Sequence, residues 1–123
     1  MCDDLHVQST VLIVDDHAAF RASARTLLEL EGFDVVGEAE DGASGLDLVR
    51  ALEPDVVLLD IALPDMSGFE VAEQLAPSTK VILTSSRQSS DFGRRVRRSG
   101  ALGFISKDLL SGDALRKLMD RAA

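Results

Sequence analysis

Four short apolar runs in this 123-residue chain end on residues that can do chemistry. Val11–Val14 ends on Asp15 and Asp16, Val56–Leu59 on Asp60, Val81–Leu83, in a strand starting at Lys80, on Thr84 and Ser85, and Ala101–Ile105 leads to Lys107. Each run is continuous rather than alternating, as in strands buried on both faces of a parallel sheet. All strands of such a sheet deliver their carboxyl ends to one edge, where open α/β sheets bind ligands. Asp60 taken alone also reads as a turn residue, because Asp enters turns readily. Crowded carboxylates repel and need a compensating cation. A hard divalent ion such as Mg²⁺ meets that need with one or two carboxylates and retained waters, leaving room for a phosphoryl group. Thr84 can donate to a phosphoryl oxygen, Lys107 offers a mobile cation, and Asp60 is a credible nucleophile for an aspartyl-phosphate.

The elements that must position these groups alternate along the chain. Thr10–Val14 reads as a strand and His17–Leu30 as a helix, with Phe20, Ala24, Leu27 and Leu28 on one face and Gly32 as its stop. Phe33–Ala39 is a more polar strand nearer an edge, and Asp41-Gly42 is a turn. Ala43–Leu52 is a helix with Leu46, Val49 and Leu52 inward, ended by Pro54. Phe69–Leu75, Ser89–Ser99 and Asp113–Arg121 complete the helices, the last with Leu115, Leu118 and Met119 inward. Five βα repeats at this spacing predict one doubly wound α/β domain, a parallel sheet with helices on both faces and right-handed crossovers. Residues 1–9 read as a disordered leader before a domain spanning 10–123.

Composition narrows the function. Aromatics are 4% of the chain, so the core must be aliphatic, and no apolar run approaches the ~20 residues of a membrane span. A net charge of −8 argues against broad nucleic-acid binding. The single Cys2 forms no internal disulfide and fits a cytoplasmic setting. No zinc-type spacing or Walker-type loop is present. Arg87, Arg94, Arg95, Arg97 and Arg98 face only Asp91 in their segment. Charge runs are usually solvated faces, but this one suits an acidic protein partner or a second copy of the chain.

The motifs Val-Leu-Ile-Val-Asp-Asp-His at 11–17, Pro-Asp-Val-Val-Leu-Leu-Asp-Ile-Ala-Leu-Pro-Asp-Met-Ser-Gly at 54–68, Val-Ile-Leu-Thr-Ser at 81–85 and Gly-Ala-Leu-Gly-Phe-Ile-Ser-Lys-Asp at 100–108 resemble those of response-regulator receiver domains of two-component signalling. The likeness covers residues 10–122 and is greatest to receivers of NarL/LuxR-type regulators. It implies a five-stranded flavodoxin-like sheet of order 2-1-3-4-5. It implies that Asp60 accepts a phosphoryl group from a sensor histidine kinase. Asp16, Asp60 and the Ala62 carbonyl would ligate Mg²⁺, with Asp15 acting mainly through a water. Thr84 and Lys107 would bind phosphoryl oxygens. Thr84 and Phe104 would form a switch that reshapes the face of the fourth helix, last strand and last helix, controlling an output domain or partner in transcriptional regulation. DNA contact would come only through an output domain absent from this sequence.

Phe104 lacks the hydroxyl of the tyrosine common at that position, and Asp108 replaces the proline that often follows the lysine. Ala62 and Ser86 are small, which predicts an open site. His17 directly follows the acidic pair, but a lone histidine is not itself a site. Glu38 and Asp41 read as solvated. An aspartate-nucleophile phosphatase would want a second acid two residues after Asp60, where Ala62 stands. A flavodoxin-like cofactor binder would want a phosphate loop where Asp15-Asp16 stand. The reading is a phosphoacceptor module that catalyses only its own phosphorylation and dephosphorylation, not a dedicated enzyme.

Overall fold

A computed structural model describes residues 8–87 and 92–120. Five strands, β1 (Thr10–Val14), β2 (Asp34–Ala39), β3 (Val56–Asp60), β4 (Lys80–Ser85) and β5 (Gly103–Ser106), form one parallel sheet of order β2-β1-β3-β4-β5. The helices are α1 (Ala18–Leu30), α2 (Gly42–Leu52), α3 (Gly68–Leu75), α4 (Phe92–Ser99) and α5 (Gly112–Asp120), with a 3₁₀ turn at Lys107–Leu109.

The sheet has two apolar faces because its strands contribute alternate side chains to each. Val11, Ile13, Val56, Leu58 and Ile82 pack with Ala24 and Leu28 of α1 and Leu115 and Met119 of α5. Leu12, Val14, Val57, Leu59 and Leu83 pack with Val49 of α2, Phe69, Val71, Ala72 and Leu75 of α3 and Val96 of α4. Burying each large aliphatic side chain contributes about 2 kcal/mol. Most of the fully buried ones sit on β1, β3 and β4, joined by Leu28 of α1 and Leu115 of α5, so the strands that carry the acidic and hydroxyl ends are packed on both faces.

Strand and helix bounds depart from the sequence expectation mainly by a residue at caps. Asp41 is the N-cap of α2, its carboxylate accepting the Ser44 N–H at 2.8 Å, so it is a capping rather than a solvated residue. Helix α2 stops through Glu53, which adopts a left-handed conformation (φ 47°) ahead of Pro54. Leu52, expected inward, is 40% exposed, because the last turn of α2 overhangs edge strand β2 opposite Gly37. β4 continues through Thr84 and Ser85, both buried. Helix α5 starts at Gly112, where Glu31 at the end of α1 accepts the Gly112 N–H at 3.1 Å.

Some expectations fall on residues outside the described set: the leader at 1–7, the start of α4 at 89–91 with Asp91, and Arg121. Ser9 is already tied to β2, its carbonyl accepting the Asp34 N–H at 2.9 Å. Among the described residues no helix is long and apolar enough to cross a membrane.

Candidate functional site

The four strand ends meet as their sequence positions require. Asp60 pairs in register with Thr84 across β3 and β4, and β1 lies on the other side of β3. Asp60 is 3% exposed and Asp15 1%, while Asp16 opens to solvent. Lys107, carried by the turn after β5, brings its Nζ to 2.6 Å from Asp15 Oδ2 and 3.3 Å from Asp60 Oδ2. The same ammonium lies 4.6 Å from the centre of the Phe20 ring, a cation–π contact that fixes its approach.

Asp60 is held from its own loop. Its Oδ1 accepts the Ala62 N–H at 3.2 Å. The loop is pinched by an antiparallel bridge between Ala62 and Ser67 and by the Gly68 N–H donating to Ile61 O at 2.7 Å. Gly68 is obligatory here: a Cβ would collide with the Asp60 carbonyl oxygen and with Ile61 Cα, both backbone atoms that have no room to yield. Ser67 and Glu70 then form a capping box that starts α3. Burial pushes the Asp60 carboxyl above the ordinary Asp range, and the neighbouring Asp15 charge adds to this. The Ala62 N–H and Lys107 oppose it.

Two buried oxygens in this cluster have no aligned hydrogen-bond partner among the described residues, Thr84 Oγ1 and Asp15 Oδ2. Lys107 Nζ is close enough to Asp15 Oδ2 for Coulombic attraction but out of hydrogen-bond alignment. Such groups are costly unless an ion, water or ligand satisfies them. Asp15, Asp16, His17 and Asp60 each offer a ligand atom, all within 4.8 Å of one another. Three carboxylates against one ammonium leave two negative charges, which is the balance a divalent cation fits. The acidic cluster can therefore hold a metal ion.

Ala62 and Ser86 flank the site as small exposed residues. Phe104 is partly buried on the α4 side of the sheet, 5.6 Å from the Phe92 ring, which in turn lies 6.2 Å from Phe69. The Arg95 guanidinium sits 4.1 Å above the Phe69 ring. Arg87, Arg94, Arg95, Arg97 and Arg98 are all exposed.

Three supports of the site were not read from the sequence. Asp65, in the loop after Asp60, accepts the N–H groups of Gly42 at 2.8 Å and Ala43 at 2.9 Å, which hold its carboxyl below the usual range. Glu38, expected to be solvated, is bonded to Arg25 at 2.7 Å and Arg21 at 3.1 Å. Its carboxyl is lowered chiefly by Arg25, against desolvation and with help from Arg21. Arg21 also donates to the Asp15 carbonyl at 2.5 Å, so the Glu38 pair steadies the end of β1. The available signal was Arg21 and Arg25 at i,i+4 on one helix, followed by a lone glutamate on the next strand. The third support is His17, whose ring lies over the acidic cluster.

A buried carboxylate at the end of the central strand, flanked by an acidic pair, a hydroxyl and a lysine on one sheet edge, defines a phosphoacceptor-type α/β module. The chain belongs to the response regulator receiver domain family, whose model matches residues 11–120. It is 39% identical over 101 residues to response regulator GacA of Pseudomonas aeruginosa, covering 79% of this chain and 47% of that protein. It is 33% identical over 120 residues to the nitrate/nitrite response regulator NarL of Escherichia coli K12, covering 94% and 55%. The chain thus spans about half the length of these curated relatives. Among solved structures, a CheY-like receiver domain protein of Methanospirillum hungatei JF-1 superposes with a TM-score of 0.79 at 31% identity, covering 94% of both chains. A LuxR-family two-component response regulator of Aurantimonas sp. SI85-9A1 gives 0.82 at 28% identity, covering 94% of this chain and 85% of that one. The chain is a receiver domain of two-component response regulators, a family that switches on phosphorylation.

Proposed function

We propose that Asp60 is the phosphoacceptor. The observation that carries this is its burial beside Asp15, Lys107 and the unpartnered Thr84 hydroxyl. An Asp60 carboxylate oxygen forms a bond to phosphorus as the bond from phosphorus to the donor's leaving group breaks, and that group departs with its electron pair. Lys107 and Thr84 then contact the phosphoryl oxygens. Asp16, Asp60 and the Ala62 carbonyl would hold Mg²⁺, with Asp15 acting through a water. When bound, this ion offsets charge on the transferring group and aligns it for in-line displacement.

The donor is a sensor histidine kinase or a small phosphodonor. The domain catalyses its own phosphorylation and dephosphorylation and is not a dedicated enzyme. Its setting is the cytoplasm. Thr84 moving toward the phosphoryl group frees space behind Phe104, and the Phe104–Phe92–Phe69 row carries the change to the face of α4, β5 and α5. The exposed Arg94, Arg95, Arg97 and Arg98 make that face basic within an acidic chain, which suits an acidic protein partner or a second copy. The output is transcriptional regulation, through an output domain or a partner.

Incubation with acetyl phosphate and Mg²⁺ followed by intact-mass analysis tests the assignment. One phosphoryl adduct is expected on the wild type and none on Asp60→Asn. An adduct that persists in Asp60→Asn overturns it.

A further inference from the structure

We propose that Arg21 is a positioning residue of the phosphorylation site: it holds the Asp15 carbonyl from Glu38 on β2, aims the adjoining Asp16 carboxylate and so sets how tightly the site binds Mg²⁺. The inference rests on the reading that Asp16 and Asp60 would hold that ion during transfer to Asp60, and gives a part to two residues outside the cluster.

The Asp15–Asp16 peptide lies where the sheet stops supporting the chain. The Asp15 N–H still donates to Ala39 O at 2.9 Å, but the last β1–β2 pair is Val14 with Ala39. β2 ends there, so the ladder does not extend to the Asp15 carbonyl. Arg21 reaches that carbonyl from the first turn of α1, its Nη1 donating at 2.5 Å. A charged donor makes a short, strong bond to such an oxygen. Nε of the same guanidinium donates to Glu38 Oε1 at 3.1 Å. One planar fork thus spans an edge strand and a loop peptide, and it keeps its charge at any working pH.

Asp16 depends on that peptide. Its carboxylate opens to solvent, and its one ion-pair neighbour among the described residues is His17 Nδ1, at 3.1 Å on a side chain that is 65% exposed. Side-chain contacts therefore do not fix its aim; the backbone does. Once the Asp15 carbonyl loses its donor, the peptide plane is free to tilt and the Asp16 oxygens swing with it. Groups that orient metal ligands typically change affinity by about tenfold or more.

Arg25 separates this role from plain stabilisation. It makes the shorter bond to Glu38, at 2.7 Å, and also reaches Glu29 and the Val35 carbonyl, each at 3.3 Å. Glu38 thus has a counter-charge without Arg21. What Arg21 adds is the contact to Asp15.

The test compares Arg21→Met, which keeps the stem and loses the fork, with Arg25→Met in the full chain. Mg²⁺ binding is measured by calorimetry without phosphodonor. Phosphorylation by acetyl phosphate is followed by intact mass across Mg²⁺ concentrations. The expected result for Arg21→Met is about tenfold weaker Mg²⁺ binding, the same rise in half-saturating Mg²⁺, and a limiting rate within about twofold of wild type. Arg25→Met should lower the thermal midpoint yet bind Mg²⁺ within about twofold of wild type. Arg21→Lys, whose single ammonium cannot span both acceptors, should fall between and is the variant measured if Arg21→Met does not fold. Wild-type Mg²⁺ affinity in Arg21→Met, or in Arg21→Lys where it stands in, overturns the inference, as does an equal loss in Arg25→Met. A phosphoryl adduct that persists in Asp60→Asn, or Mg²⁺ affinity untouched by Asp16→Asn, overturns instead the reading on which it rests.

Discussion

Asp65 closes the amino end of α2 by accepting the Gly42 N–H at 2.8 Å, a contact spanning 23 residues of sequence. The loop that carries Asp60's backbone partner Ala62 is thereby anchored to α2, which packs on β1 and β2. Because the folded Asp65 carboxyl is lowered, its contribution is present above the ordinary Asp range and is lost as pH falls through the lowered value. Asp65→Ala should lower the thermal midpoint at neutral pH and slow phosphorylation by acetyl phosphate. Asp65→Asn, which keeps an acceptor oxygen, should be affected less. Calorimetry and intact mass check both.

Asp60 carries the opposite sign. Its carboxyl is raised, so the folded state is favoured by protonation, and that advantage is lost as pH rises through the raised value. Without divalent ions, Asp60→Asn should be more stable than wild type at pH 7 by about 1–3 kcal/mol, the range for a poorly compensated buried group. The gain should shrink in acid. Urea titrations across pH without divalent ions measure both the gain and its loss in acid.

Lys107→Met removes the ammonium that faces Asp15 and Asp60. Taking one partner from a buried pair costs about 3 kcal/mol. Mg²⁺ should restore more stability to this variant than to wild type, because the two carboxylates then lack their internal cation. Denaturant midpoints with and without Mg²⁺ read this directly.

Glu38→Gln weakens the grip of Arg21 and Arg25. The groups are partly exposed, so the cost is modest, about 0.5–1 kcal/mol. The lowered Glu38 carboxyl means that the contribution is present above the ordinary Glu range and disappears in acid. Wild type and variant should therefore converge in stability as pH falls, which thermal melts across pH would show.

Gly68→Ala forces a Cβ into the Asp60 carbonyl. Relief requires backbone movement at the acceptor itself, costing about 3 kcal/mol. The adduct with acetyl phosphate should form much more slowly in whatever fraction remains folded, as intact mass would record.

The sheet and the primary site were legible because both rest on local signals. Runs such as Val56–Leu59 are apolar on both faces, and each ends on a polar group that parallel topology delivers to one edge. Helix starts were less legible, since Asp41 and Ser67 cap helices whose first turns resemble the preceding loops. Leu52 shows the limit of periodicity: the pattern turns it inward, but the sheet ends beneath it. Asp65 and Glu38 were legible least. Their partners lie across loops or on other elements, and a single sequence encodes such contacts only through the finished fold.

The ammonium that balances the acidic site hangs from β5, a four-residue strand at the open margin of the sheet, bonded on one side only. The carboxylates it balances belong to the interior strands. Fraying of that margin would therefore uncover charge at the centre, and charge at the centre in turn pins the margin down. Amide hydrogens of Phe104–Ser106 should exchange as a reporter of the site's electrostatics, slowing or quickening with every change in ionisation two strands away.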